Sequence, residues 1–181
     1  MNKRAVSPII GLVIVIALVL ALSQVLMLLT SKEVKKIEKP PFSATVQGRL
    51  LEEYEEGQGW NTQIVELLHI AGDPIPVSQI KIRVEIYRDS DLKAQEVFWG
   101  FPCNPSEITY EGDDIVSRSN RDAKYFGELR KRSDGIWSAG EKIGFRIKRS
   151  AFTLQKGDIV SIRVIHIPSN SIIIQQQLKV S

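Results

Sequence analysis

The pattern of apolar and polar positions divides the chain into two parts. From Val6 to Leu29 there is no charged residue, and the only clearly polar side chains are Ser7, Ser23 and Gln24. Beyond Pro40 the sequence has the mixed polarity of an ordinary globular domain. We therefore expect one long apolar element followed by one folded domain.

The apolar run is long enough to form a membrane-spanning helix. A helix needs about 20 apolar residues to cross a bilayer, and the stretch from Pro8 to Leu29 meets that length. Val34 and Ile37 extend the helical spacing up to the Pro40-Pro41 pair, which would stop the helix. The pattern predicts a single helix of about 46 Å over residues 8–38.

After Pro41 the apolar period changes to two, which is typical of half-buried strands. The clearest case is Ile80-Lys81-Ile82-Arg83, and the alternation continues through Ile86. Further strands are predicted at Ala44–Leu51, Gln63–Ile70, Val97–Phe101, Lys142–Ile147 and Ile162–Ile167, with a final hairpin that turns at Pro168–Ser171. The predicted fold class is α+β and mainly β, with a long N-terminal hydrophobic helix followed by an antiparallel β-sandwich or barrel of an Ig-like or pilin-like kind.

The segment between Cys103 and Trp137 lacks a clear period. It carries mixed charge and predicts a surface insertion, residues 104–136, with one short helix near Ala123–Lys131. Its Arg130-Lys131-Arg132 run is more typical of a solvated loop than of a binding site for nucleic acid.

The distribution of charge argues against nucleic acid as a partner. Residues 1–39 hold six Lys or Arg and two Glu, so the whole-chain charge of +3 leaves −1 for residues 40–181. The positive charge flanks the apolar run and does not coat the domain.

The candidate chemical groups predict neither an enzyme nor a metal or cofactor site. No phosphate-binding loop or nucleophile motif is present, and Cys103 is the only cysteine, so no disulfide forms within the chain. The two histidines are too few for a usual metal site. The residues considered are His69, His166, Cys103, and the pairs Asp113-Asp114 and Glu52-Glu53, all interpreted as structural or turn residues.

Three interpretations of the start of the chain are open on the residues alone. A cleaved secretory signal has a shorter apolar core, although Ala21 and Ser23 imitate its cleavage site. A plain membrane anchor suits the hydropathy, and the positive-inside rule does not orient it because Lys and Arg lie on both sides. In the third interpretation the chain is cut where Lys3 and Arg4 meet the apolar run.

The third interpretation is favoured by a resemblance. The processing motif consists of Lys3, Arg4, Ala5, Val6, Ser7, Pro8, Ile9, Ile10 and Gly11. Followed by an apolar helix, it resembles the start of archaeal type IV pilins, the family with a pilin/flagellin-like N-terminal domain. The stretches Leu67–Ile82, Trp137–Ile143 and Leu154–Ile173 are similar to segments that recur in the same family. Ile9 departs from bacterial type IV pilins, which carry a glutamate in this turn.

The resemblance implies a processed and assembled subunit. Residues 1–4 would be a class III signal leader that a prepilin peptidase removes between Arg4 and Ala5. Residues 5–39 would be the transmembrane and filament-core helix, and residues 40–181 the extracellular β-rich domain. Gly11, Ala17 and Ala21 are small enough to allow helices to pack closely.

The resemblance also implies partners and a location. The partners would be membrane lipid before assembly, an assembly ATPase with its membrane platform protein, and further copies of the chain. The precursor would lie in the archaeal cell membrane as a single-pass protein and then enter a surface filament that serves adhesion. The alternative is a single-span, membrane-anchored extracellular β-sandwich binding protein that does not polymerise.

Overall fold

The structure is a computed structural model that describes residues 8–31, 41–55, 59–130 and 134–181. The chain divides into two compact units, Met1–Lys39 and Pro40–Ser181.

The first unit contains helix α1, Pro8–Ser31. Its side chains are described over residues 10–25. The element has no acidic residue in its first turn and no basic residue in its last. The hydroxyl of Ser23 donates to the carbonyl oxygen of Val19 at 2.8 Å, so this polar group is satisfied within the helix.

The predicted transmembrane helix is not supported. Within the described part of the chain, no helix is both long and apolar enough to cross a membrane. A span needs about 20 apolar residues, and the described side chains of α1 cover residues 10–25 alone. The predictions of a transmembrane segment and of a single-pass membrane precursor are therefore wrong. The predicted continuation to Glu38 lies outside the described residues.

The second unit is built from antiparallel strands, ten of them in its described residues. They are β1 (Ala44–Glu55), β2 (Gly59–Gly72), β3 (Ile75–Pro76), β4 (Ile80–Arg88), β5 (Asp91–Trp99), β6 (Thr109–Gly112), β7 (Ile136–Trp137), β8 (Lys142–Arg146), β9 (Ile159–His166) and β10 (Ser171–Lys179). Short 3-10 helices lie at Val77–Gln79, Pro105–Glu107 and Asn120–Tyr125.

The strands form three open antiparallel sheets. One sheet has the order β1-β2-β8, a second has the order β10-β9-β4-β5-β6, and β3 pairs with β7. Strands β1 and β10 approach each other without main-chain pairing. Instead, the side-chain amide of Gln176 donates to the carbonyl oxygen of Val46 at 2.8 Å. Strands β6 and β8, at the other edges of these two sheets, are not paired with each other either, so the sheets do not close.

The predicted fold class is corrected on two counts. The described helix is too short to be the long hydrophobic helix that was predicted, and the sheets are not closed into the predicted barrel. The strand positions follow the predicted alternation more closely. In β4 the even-numbered apolar side chains from Ile80 to Ile86 are fully buried, because successive side chains of a strand point to opposite faces.

One hydrophobic core joins the two larger sheets. The ring of Phe98 on β5 lies edge-to-face against the ring of Phe145 on β8, with 5.2 Å between the ring centroids. This spacing lies within the range that aromatic pairs prefer. The Phe98 and Phe145 side chains are both fully buried, so they hold the two sheets together.

The described residues of the segment 104–136 contribute several side chains to the core, which corrects its interpretation as a surface insertion. Its buried apolar side chains are Ile108, Ile115, Val116, Ala123, Phe126 and Leu129. The predicted helix near Ala123–Lys131 is a shorter 3-10 helix at Asn120–Tyr125, followed by a turn at Gly127 with φ of 54°. The main chain then packs onto β8, where the N–H of Glu128 donates to the carbonyl oxygen of Lys142 at 3.0 Å.

Candidate functional site

The surface of α1 is apolar on every side. Its large hydrophobic side chains are between 51% and 62% exposed. They are Ile10, Leu12, Val13, Ile14, Val15, Ile16, Leu18, Val19, Leu20, Leu22 and Val25. An apolar surface this extended is typical of an interaction site, since isolated soluble proteins seldom expose one. Helix α1 is therefore the first candidate site.

The three predicted packing positions do not share one face of α1. At 100° of rotation per residue, Ala17 and Ala21 lie one turn apart on the same side, whereas Gly11 is rotated away by roughly 80–120°. A Cβ atom added to Gly11 would meet no atom within 4 Å beyond its own helical turn. Packing within the chain therefore does not require a glycine there, and Ala17 with Ala21 forms a strip of small side chains along one side of the helix.

The predicted cleavage site cannot be compared with the structure. Lys3, Arg4, Ala5, Val6 and Ser7 lie outside the described residues. Pro8 is the first described residue of helix α1.

The second unit contains a network of charged groups around Glu96. This carboxylate is fully buried, and its Oε2 accepts from the N–H of Val116 at 2.7 Å. Arg118 forms ion pairs with Glu96 and Asp114, and its guanidinium stacks on the ring of Tyr110. Burial raises the pKa of the Glu96 carboxyl above its usual range, against the opposing effect of the Val116 N–H and Arg118. The network fastens residues 110–118 to β5.

Each of the two carboxylate pairs considered in the sequence has at least one member with a structural partner. Asp113 accepts from the N–H of Gln95 at 2.8 Å. Glu53 forms ion pairs with Lys124 at 2.8 Å and with Arg146 at 2.7 Å. These contacts give each group a role in joining strands to loops, and the prediction that the chain is not an enzyme stays a prediction.

Both histidines and the cysteine lie within the folded unit. The ring nitrogens of His69 lie 3.2 Å and 3.1 Å from the carbonyl oxygens of Trp137 and Ala71. His166 contacts the Ser169 hydroxyl at 2.7 Å through Nδ1. Cys103 is buried, and burial raises the pKa of its thiol. Across the residues that the structure describes, no group of three or more His, Cys, Asp or Glu is arranged to hold a metal ion.

A second candidate site is a hollow of about 310 Å³, called here the cationic hollow. Its lining residues are Ser117, Ser119, Arg121, Asp122, Arg146, Lys148, Arg149 and Ser150. They come from two stretches distant in sequence, SRSNRD (117–122) and RIKRS (146–150). The sequence pattern did not predict this site. Both stretches place arginine beside serine, which was the one sequence signal for this site. Only the fold brings the two stretches together.

The chain matches no protein-family model and no curated protein. The resemblance to archaeal type IV pilins therefore depends on the motif residues alone, and the predicted identity as a pilin has no support from these comparisons.

Proposed function

We propose that this chain is a structural subunit of an archaeal type IV pilus-like filament that serves adhesion or attachment. In this proposal copies of α1 pack together as the filament core, and residues 40–181 form the folded domain of each subunit. The observation that carries the proposal is the uncharged helix surface, exposed on every side over residues 10–25.

The exposed surface gives a large free energy for association. Burying a whole Val, Leu or Ile side chain contributes about 1.5–3 kcal/mol. The eleven large side chains of α1 are about half exposed, so each still offers on the order of 1 kcal/mol, or about 10 kcal/mol for the helix. A surface of this kind favours an assembled form over a solitary chain in water.

The distribution of the apolar surface supports a bundle in preference to a pair. A dimer of helices covers one stripe on each partner, as in a coiled coil. Because α1 has apolar side chains all around, several neighbouring helices are needed to cover it. Copies of α1 suit this role, since Ala17 and Ala21 allow one close approach between helix backbones.

Cleavage between Arg4 and Ala5 is part of the proposal. Lys3 and Arg4 carried into a dry bundle of helices would be unpaired buried cations, and each would cost several kcal/mol. Removal of residues 1–4 by a prepilin peptidase removes this obstacle. An assembly ATPase with its platform protein would deliver subunits to the filament in the cell, while the association itself would depend on the packing of α1.

The test compares two forms of the chain, one that starts at Met1 and one that starts at Ala5. Each is diluted from mild detergent and examined by sedimentation and negative-stain electron microscopy. We expect filaments from the form that starts at Ala5 and much weaker assembly from the form that keeps Lys3 and Arg4. In native material, mass spectrometry of isolated filaments is expected to find the peptide that begins at Ala5.

A matched pair of variants separates helix packing from unspecific aggregation. Ala21→Glu places a charge on the closest face of α1 and is expected to abolish filaments, whereas Ala151→Glu makes the same change at an exposed position of the second unit and should leave assembly intact. If the chain starting at Ala5 stays monomeric, or if Ala21→Glu assembles as well as the parent, the proposal is wrong. A stable monomer would favour a binding protein that does not polymerise.

A further inference from the structure

The cationic hollow has a fixed floor. Arg146 and Asp122 are buried there, with 7% of each residue exposed. The Nη1 atom of Arg146 lies 2.7 Å from a Glu53 carboxylate oxygen and 3.5 Å from an Asp122 oxygen, while the Ser117 hydroxyl donates to Asp122 at 2.6 Å. These contacts hold the guanidinium in one orientation before any ligand arrives, which lowers the entropic cost of binding.

The lining of the hollow contains more cationic side chains than carboxylates. Four cationic side chains line it, against the single carboxylate of Asp122. Two carboxylates outside the lining neutralise part of this charge. Asp114 forms an ion pair with Lys148, and Glu53 forms one with Arg146. Arg121 on the rim is exposed, and its guanidinium makes no hydrogen bond or ion pair to any described residue. Arg146 and Arg149 each make a further contact within the chain. The excess of positive charge that faces the hollow therefore comes from Arg121 and from the ratio of four cations to one carboxylate in the lining.

The electrostatics at Lys148 agree with this excess. Burial and the nearby Arg118 lower the pKa of the Lys148 ammonium, although Glu96 opposes the shift. Burial, which acts on any enclosed cation, is the larger cause, and the smaller effect of Arg118 reflects two cations that lie close together beside the hollow.

The polar groups around the hollow suit an oxyanion. Arginine presents its N–H groups in a fork that matches the oxygen atoms of sulfate, phosphate and carboxylate groups. Three serine hydroxyls lie among the cations. The Ser119 hydroxyl accepts from the N–H of Arg121 at 3.2 Å and keeps its own proton available for a ligand oxygen. A volume of about 310 Å³ exceeds a bare ion and has room for a sugar-sized molecule that carries one.

We propose that the cationic hollow is a binding site for an oxyanion group, in which Arg121 and Arg149 contact the ligand at the rim and Arg146 with Lys148 attracts it from the floor. The group is a sulfate, phosphate or carboxylate, either free or carried on a saccharide. This site does not depend on the assembly of α1, and it would belong to the chain whether or not filaments form.

The test measures thermal unfolding of the full chain with sodium sulfate, with glucose 6-sulfate and with sodium chloride at matched ionic strength. Glucose serves as the uncharged control. Sulfate stabilises most folded proteins unspecifically, so the comparison between variants decides the result. We expect sulfate and glucose 6-sulfate to raise Tm by more than chloride does.

The variant Arg121→Gln/Arg149→Gln removes both rim cations, and the matched control Lys156→Gln/Lys179→Gln removes two exposed cations elsewhere in the same unit. A charge-assisted hydrogen bond contributes enough free energy that each lost arginine is expected to weaken Kd by about tenfold. The control should bind like the parent. Near-UV circular dichroism without ligand verifies that both variants are folded.

The two ligands distinguish a free oxyanion from one carried on a saccharide. Tighter binding of glucose 6-sulfate than of sulfate identifies a saccharide-borne oxyanion, and equal binding identifies a free one. Equal ligand-induced shifts in the rim variant and the control would overturn the proposal, as would effects of sulfate and of glucose 6-sulfate on the parent that are both no larger than that of chloride.

Discussion

The buried carboxylate of Asp158 provides a sharp test of how the five-stranded sheet is held together. Its side chain is 1% exposed and accepts from Nε and Nη2 of Arg88, both at 2.8 Å. The N–H of Gln155 donates to the same carboxylate at 2.8 Å. Because Arg88 ends β4 and Asp158 precedes β9, the pair fastens the ends of two neighbouring strands.

The substitution Asp158→Asn keeps the shape of the side chain and removes its charge. Hydrogen bonds to charged groups contribute about 1.5–3 kcal/mol, while breaking a fully buried ion pair costs about 3–5 kcal/mol. Arg88 is 30% exposed, so water can replace part of the lost contact. We expect the free energy of unfolding to fall by about 2–3 kcal/mol, which lowers Tm by about 6–10 °C in a domain of this size.

The matched control is Asp91→Asn. The Asp91 carboxylate also pairs with a cation, Lys93 at 3.1 Å, but its side chain is 73% exposed. Exposed pairs of this kind contribute about 0–1 kcal/mol. Urea unfolding followed by circular dichroism compares the two variants with the parent, and equal stabilities of the two variants would refute the reasoning.

The contribution of the Asp158–Arg88 pair to stability should depend on pH in a definite direction. Chiefly through its hydrogen bonds, Arg88 lowers the pKa of the Asp158 carboxyl in the folded protein. The unfolded chain therefore binds the proton more readily, and the stabilisation is complete above about pH 4. It is lost as the pH falls through the lower folded pKa. The stability gap between the parent and Asp158→Asn should be constant near neutrality and shrink below about pH 4, whereas a gap that widens in acid would contradict the assignment.

Three further predictions concern the core and the turns of the second unit. Phe98→Ala is expected to reduce the free energy of unfolding by about 3–5 kcal/mol, because it leaves a cavity between the two sheets. The control Leu92→Ala, at a half-exposed site, should reduce it by less than about 1 kcal/mol. Equal losses of stability in urea unfolding would contradict the shared core. Gly127→Ala should destabilise the protein by about 1–3 kcal/mol more than Gly140→Ala does. Both glycines have positive φ, but only at Gly127 would a Cβ atom meet a main-chain oxygen of β8. Similar melting temperatures of the two variants would contradict this prediction. The Cys103 thiol, buried and with a raised pKa, should react with a thiol reagent at pH 8 only after unfolding, and rapid labelling of the native protein would show that it is accessible.

The folded domain was partly predictable because its longer strands alternate. Strands β1, β2, β4, β8 and β9 lie where the alternation of apolar and polar residues placed them, and the final hairpin turns at the predicted position. The short strands β3, β6 and β7 were missed, since two to four residues are too few to establish a period.

Of the two candidate sites, one was predictable from the sequence and the other was not. The apolar surface of α1 follows directly from its composition, whereas the predicted length of the helix exceeded what the structure supports. The cationic hollow was not visible in the sequence, because Arg121 and Arg146 come together only when β8 pairs with β2 and the 3-10 helix packs beside it.

The sequence by itself determined which residues avoid water and with what local period, since both depend on side-chain chemistry at short range. It therefore specified an uncharged apolar helix and a set of alternating strands. Only the tertiary structure decided that the sheets stay open, with Gln176 bridging β10 to β1, and that residues 104–136 enter the core. These features depend on contacts between residues far apart in the chain, and no local pattern encodes which distant partner a buried group will meet.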